Sequence, residues 1–215
     1  MLLYYITDRK QFPGNEAAQR QSLLQTITEA ASAGVDYIQL REKDLPGREL
    51  EQLARDALRT IEKHSAQNNR PTKLLINSRA DIAIAAGCDG VHLPANDLSP
   101  LEVRNIWQRT SHENQNIPMI GVSCHSIEEV KRAAEGRADF IVFAPVFEKK
   151  SDPAAGPTGL DTLHQACRQG ISTFALGGIT LKNAHQCLHA GASGIAGIRL
   201  FQENNIAEIV CKLRA

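Results

Sequence analysis

Several short apolar runs in this chain end in residues able to do chemistry. After the run 36–40 come Arg41, Glu42, Lys43 and Asp44. A guanidinium can grip an oxyanion through two parallel N–H groups and an ammonium acts as a point charge, so Arg41 and Lys43 are candidate anion binders. The same string also fits a solvated charged turn or a salt bridge within a rim. Asn77 follows the run 73–76 and can donate to and accept from a heterocycle. Ser78 beside it fits the cap of a helix opening at Arg79. In Gly121-Val122-Ser123-Cys124-His125-Ser126, Ser123 is a candidate substrate contact. His125 is the strongest acid/base candidate, because imidazole changes charge near neutral pH. Ser126 with Glu129 three residues on has the form of a capping box. Cys124 has no base marked by spacing and is a weak nucleophile candidate.

Three further groups concern anions and metal. Asp97, in the loop after His92-Leu93, could hold a divalent cation, although a lone loop acid reads first as solvent-exposed. Lys149 and Lys150 stand in a long polar loop running to Pro157; such loops often act as lids, and two lysines there could cover an anionic substrate. Gly177-Gly178 and Ile198-Arg199 form the most specific pair. Barrels often bind phosphate between the loops after strands seven and eight, on backbone N–H groups at a helix start. Glycines let the backbone approach closely, and Arg199 could add a side-chain contact.

Bringing these run ends together requires a particular frame. The periodicity predicts strands at 2–6, 36–40, 73–76, 90–93, 118–122, 139–143, 173–176 and 194–198. Amphipathic helices are predicted between them, and Gly34, Gly87, Gly136, Gly170 and Gly191 stop five of these. Strands alternating with helices imply a parallel sheet, and eight such units at about 25-residue spacing favour closure into a (β/α)8 TIM barrel. A-G-V-D-Y-I, A-G-C-D-G-V, G-R-A-D-F-I and A-G-A-S-G-I recur where helices hand over to strands, which reads as structural. No composition break interrupts residues 1–215, so one domain is expected.

Composition narrows the function classes. Lys plus Arg and Asp plus Glu each number 24, so neither a nucleic acid nor a membrane surface has electrostatic support as a partner. Hydrophobic residues at 42% and charged residues at 22% fit a packed globular chain rather than a disordered one. The five cysteines are scattered without a C-x-x-C pair, which disfavours a disulfide frame or zinc site and fits reduced cytoplasmic thiols. No apolar run has membrane-spanning length, and residues 1–10 lack the pattern of a signal peptide.

Taken in order, Tyr5-Ile6-Thr7-Asp8, Gln39-Leu40-Arg41-Glu42-Lys43, Asn77 with Arg79-Ala80-Asp81, Gly90-Val91-His92-Leu93, Gly121 to Ser126, Pro145-Val146-Phe147 and Gly177-Gly178-Ile179-Thr180 resemble the thiamin phosphate synthase and TenI superfamily over almost the whole chain. The resemblance implies that Arg41, Lys43 and Asn77 face a pyrimidine or its diphosphate. It implies that Gly177, Gly178, Ile198 and Arg199 hold a thiazole phosphate, and that Asp97 is a Mg2+ ligand if the chain is a synthase. Synthases of this group commonly carry Asn-Asp where this chain has Asn77-Ser78, and Phe-Pro-Thr-x-Thr-Lys where it has Phe147 to Asp152. The TenI branch resembles the chain more closely at both places. The leading expectation is therefore a TenI-like thiazole tautomerase, needing no cofactor, in which His125 shuttles the proton. The alternatives are a thiamin phosphate synthase joining hydroxymethylpyrimidine diphosphate to thiazole phosphate, and a non-catalytic regulator that binds thiazole or thiamin phosphate. Small phosphorylated molecules are the expected partners, and a homo-oligomer stays open.

Overall fold

Eight parallel strands follow one another in chain order round a closed ring, β1-β2-β3-β4-β5-β6-β7-β8, in the computed structural model, which describes residues 1–65, 71–110, 117–148 and 156–215. They are β1 (Leu2–Ile6), β2 (Tyr37–Leu40), β3 (Lys73–Asn77), β4 (Gly90–Leu93), β5 (Met119–Cys124), β6 (Phe140–Phe143), β7 (Ser172–Ala175) and β8 (Gly194–Gly197). The helices are α1 (Glu16–Ser32), α2 (Gly47–Ser65), α3 (Ala80–Ala86), α4 (Pro100–Thr110), α5 (Ile127–Glu135), α6 (Gly159–Cys167), α7 (Ala184–His189), α8 (Arg199–Gln202) and α9 (Ile206–Arg214). The chain is a single (β/α)8 barrel, as the alternation of strand and helix patterns predicts. Differences from the predicted elements are local. β5 runs on to Cys124, carrying Ser123 into the strand, and two short elements were not anticipated: α8 and a 3-10 turn at Arg9–Gln11.

Side chains alternate across each strand, which sorts the barrel into two cores. Leu3, Tyr5, Ile38, Leu40, Leu74 and Ile76 point outward into the large shell shared with the helices. Tyr4, Ile6, Leu75, Phe140, Val142, Phe174 and Ala196 point inward and fill the barrel itself. The rings of Tyr4, Tyr37, Phe140 and Phe174 plug its lower half, with centroids 5.2 Å apart for Phe140 and Phe174 and 5.9 Å apart for Tyr4 and Tyr37. Gly194 makes room for this plug, since a Cβ there would stand 2.7 Å from Phe174 and 2.3 Å from the Leu2 carbonyl. The interior is packed at the bottom and opens at the carboxyl ends of the strands.

The recurring aspartate is explained at the closed bottom. The second carboxylate oxygens of Asp36, Asp89 and Asp139 accept the backbone N–H of Leu3, Leu74 and Ile120 at 2.8, 2.8 and 2.6 Å. Each acid enters an even-numbered strand and ties it to the odd-numbered strand before it. Before β8 Ser193 stands in the acid's place and uses only its backbone: its N–H donates to the Thr173 carbonyl of β7 at 2.8 Å, and its carbonyl accepts from Leu2 N of β1 at 3.1 Å. Asp139 also pairs with Arg104 at 2.7 Å. Asp139→Ala orphans a buried amide and is expected to cost about 1–3 kcal/mol in denaturant unfolding, whereas Ser193→Ala should stay within about 0.5 kcal/mol; equal costs would show that the carboxylate is not the fastener. One glycine departs from expectation. Gly136 has φ −71°, and Arg137 takes the left-handed turn at φ +60° instead. Gly136 is small for a different reason, because a Cβ there would meet Pro100 at 3.0 Å.

Candidate active site

The open end of the barrel holds a cavity of about 1030 Å3, lined at successive strand ends by Gln39, Arg41 and Lys43, by Asn77, His92, Ser123 and His125, and by Gly177, Gly178, Ile198 and Arg199. Strand parity explains the gathering. Alternation along β2 and β5 turns Gln39 and Ser123 inward, and the segments that follow these strands bring Arg41, Lys43 and His125 to the same cavity. Of the residues singled out in the sequence, the structure brings nine to this cavity: Arg41, Lys43, Asn77, Ser123, His125, Gly177, Gly178, Ile198 and Arg199. Lys149 and Lys150 lie outside the described residues.

A buried ionic knot positions the β2 end. The Arg9 guanidinium, 2% exposed, pairs with Glu42 at 3.1 Å, with Asp44 at 2.7 Å and with Glu16 at 2.9 Å. Glu42 is equally buried; its carboxylate accepts the Thr7 hydroxyl at 2.6 Å and the Arg9 N–H at 3.1 Å. Burial pushes the Glu42 carboxyl up, against those hydrogen bonds, while the Arg9 guanidinium holds the Asp44 carboxyl well below its usual range. The Thr7 oxygen accepts from Arg41 N at 2.9 Å, so the knot fixes the backbone from which Arg41 reaches the cavity. Half of the charged string after β2 is therefore structural, as the salt-bridge reading of the sequence allowed, while Arg41 and Lys43 face the cavity.

The His125 ring is exposed at the rim, with Nδ1 2.7 Å from the Ala144 carbonyl. A carbonyl only accepts, so Nδ1 carries a proton, and in the neutral ring the lone pair is on Nε2. That is the form a proton acceptor needs. Ser126 caps α5 through Glu129 N at 3.2 Å, and the Glu129 carboxylate reaches back to His125 N at 2.6 Å, so a capping box presents the histidine. Burial pushes the Cys124 thiol up to about 12, which leaves it inert as a nucleophile.

Across the rim, Gly177 and Gly178 adopt φ +99° and +64° after β7. A Cβ on Gly178 would stand 2.6 Å from the Glu148 carbonyl, so no larger residue fits there. Asn183 Nδ2 donates to the Gly178 carbonyl at 3.0 Å and steadies this turn. Ile198 precedes α8, and half-buried Arg199 opens it. These residues form a second polar sector, on β7 and β8, distinct from the cationic sector on β2 and β3.

Two expectations are revised in place. Ser78 does not cap α3: it sits at φ +60°, its Oγ accepts from Asn77 Nδ2 at 3.1 Å, and Arg79 precedes the helix without a side-chain cap. Asp97 is exposed, its carboxylate accepts Leu98 N at 2.8 Å, and it does not line the cavity, although its neighbours Pro94, Ala95 and Asn96 do. Magnesium takes oxygen ligands, commonly one or two carboxylates together with substrate phosphates. With Ser78 offering only a hydroxyl and Asp97 turned to its own loop, these residues do not fit a magnesium site. Among the described residues no group of three or more His, Cys, Asp or Glu side chains could hold a metal. His92, assigned no site role from the sequence, proves to be a cavity residue, and Gln39 and Glu129 join it. Counting back by two from Arg41 would have found Gln39. No helix among the described residues is long and apolar enough to cross a membrane.

The family described as Thiamine monophosphate synthase matches residues 3–201. A relative in Aquifex aeolicus, named putative thiamine-phosphate synthase 2, is 41% identical over 202 residues, covering 94% of this chain and 97% of its own length. The thiamine-phosphate synthase of Halalkalibacterium halodurans is 36% identical over 198 residues, covering 91% and 85%. Among solved structures, thiamine phosphate pyrophosphorylase from Pyrococcus furiosus superposes with a TM-score of 0.79 at 26% identity, covering 99% of this chain and 93% of that one. Motif order, barrel and cavity agree with these matches: the chain belongs to the thiamine monophosphate synthase family.

Proposed function

We propose that the chain joins a pyrimidine diphosphate to a thiazole phosphate, releasing pyrophosphate and thiamin phosphate. One observation carries this reading: two separate polar sectors, Arg41 with Lys43 and Gly177-Gly178 with Ile198-Arg199, border a single cavity of about 1030 Å3. Ligand pockets commonly span about 300–1,000 Å3, so this one suits two phosphorylated rings better than one. The names of the relatives support the same reading, which the residues alone ranked second. Chemically, the C–O bond to the diphosphate breaks and its electron pair leaves with that group. Arg41 and Lys43 stabilise the charge as it develops. The thiazole nitrogen supplies the pair for the new C–N bond, while the glycine turn and the start of α8 hold its phosphate. Gln39, Asn77 and Ser123 give the reacting rings an uncharged polar floor. The test is turnover: thiamin phosphate and pyrophosphate should appear together when both substrates are supplied. No product at any substrate concentration would sink the proposal and leave a binding role.

A second reading, thiazole tautomerisation, rests on the free Nε2 of His125 and on a donor set that does not fit magnesium. It needs only one phosphorylated ring and a proton carrier. His125→Asn keeps size but cannot shuttle protons near neutral pH, so under this reading kcat for the tautomer falls about 10²–10⁴-fold with little change in phosphate affinity. Tautomer turnover is expected to persist in excess chelator, and tautomer turnover that drops to background there sinks this reading.

A further inference from the structure

Beneath the cavity floor a chain of three polar groups runs into the barrel. Tyr4 is fully buried, and its hydroxyl lies 3.1 Å from His92 Nδ1. His92 is 2% exposed, and its Nε2 lies 2.9 Å from the Ser123 hydroxyl, which lines the cavity. Gly121 seats the imidazole, because a Cβ there would come within 2.8 Å of His92 Nδ1 and 2.4 Å of Phe140. The reaction as derived above uses neither Tyr4 nor His92.

The order of donors along this chain follows from its lower end. Phe140, Val142, Phe174 and Ala196 pack in the same interior cluster as Tyr4, and their side chains accept nothing. Among the described residues the Tyr4 hydroxyl is hydrogen-bonded to His92 alone, so if Nδ1 carried the proton the phenol would have to accept and its own O–H would be left without an acceptor. An unpaired buried donor is the costlier arrangement. The phenol therefore donates to Nδ1, which leaves the proton of the neutral ring on Nε2. Burial, helped by the Arg41 charge, pushes His92 down to about 3, so the ring stays neutral, and Tyr4 is held well above its usual range, so the phenol keeps its proton. Nε2–H then donates to one lone pair of Ser123 Oγ, which leaves the hydroxyl proton to turn toward the cavity.

We propose that Tyr4 and His92 are positioning residues that fix the direction of this relay and free the Ser123 hydroxyl proton to donate to the bound substrate. The atom seated on the freed Ser123 proton is accordingly an acceptor, such as a ring nitrogen. The substrate half of this inference rests on the transfer reading above; the direction of the relay does not.

The experiment has two arms. In protein labelled with 15N-histidine, His92 (assigned by its loss in His92→Gln) should show protonated Nε2 and bare Nδ1 from mildly acid to mildly alkaline pH. In Tyr4→Phe, which keeps the ring, both tautomers should appear. A protonated Nδ1 in the unmodified protein, or an unchanged tautomer in Tyr4→Phe, overturns the relay. In the second arm Tyr4→Phe should lower kcat/KM for transfer about two- to tenfold, the scale of one hydrogen bond, and should have no further effect once Ser123 is alanine. Equal effects in both backgrounds would mean that Tyr4 acts through packing, not through Ser123. If neither substrate pair is turned over, the transfer reading fails alone and the 15N spectra still decide the relay.

Discussion

Arg9→Met is expected to weaken the fold by about 3–5 kcal/mol, because it strands the buried Glu42 carboxylate without its cation. For a barrel of this size the loss appears as a fall of roughly 10 °C in the unfolding midpoint. Methionine retains most of the apolar stem, so lost charge rather than lost volume dominates. The double variant Arg9→Met with Glu42→Gln should recover part of the loss, since a neutral amide tolerates burial better than an unpaired carboxylate. Thermal unfolding of both variants is the measurement. A midpoint for Arg9→Met within about 2 °C of the unmodified protein would mean that the knot is replaceable by packing alone.

Arg41→Met is expected to reduce kcat for transfer by about 10²–10³-fold, the usual scale when one preorganised donor to developing charge is removed. The fold should be spared. Arg41 enters the knot only through its backbone N–H to Thr7, which methionine keeps. Arg41→Lys should recover only part of the rate, because an ammonium restores the charge but not the two-pronged grip. Steady-state kinetics with saturating thiazole phosphate separates the effect on kcat from one on affinity. A kcat within about threefold of the unmodified enzyme would remove Arg41 from the proposed charge-stabilising role.

The barrel was legible because its two periods are strong: apolar runs for strands, amphipathic stretches for helices, and glycine stops such as Gly87, which takes φ +77° as expected. Boundaries blurred where a strand ends in small polar residues. Ser123 and Cys124 carry no apolar signal, yet their backbone continues β5 because the register with Val142 and Phe143 holds it there. The short helix α8 was hidden because four residues give no period to detect. Among site residues, charge and ring chemistry made Arg41, Lys43 and His125 visible. Arg9 was overlooked because its partners Glu42 and Asp44 are distant in sequence, and the knot exists only once β1 and β2 pair. Tyr4 and His92 were hidden for a related reason. Inside an apolar run they look like core, and only closure of the barrel brings the phenol to the imidazole. The choice between transfer and tautomerisation was not legible from residue types, since His125 serves either; the relatives' names and the size of the cavity favour transfer.

The seclusion of Arg9 and Glu42 bears on how the protein meets changing ionic strength. Dissolved ions weaken attractions between charges that face water, such as the exposed pair of Lys212 and Glu208. They reach a pair at 2% exposure far less. In concentrated brine the exposed pair is therefore shielded, while the scaffold under the β2 rim keeps its shape.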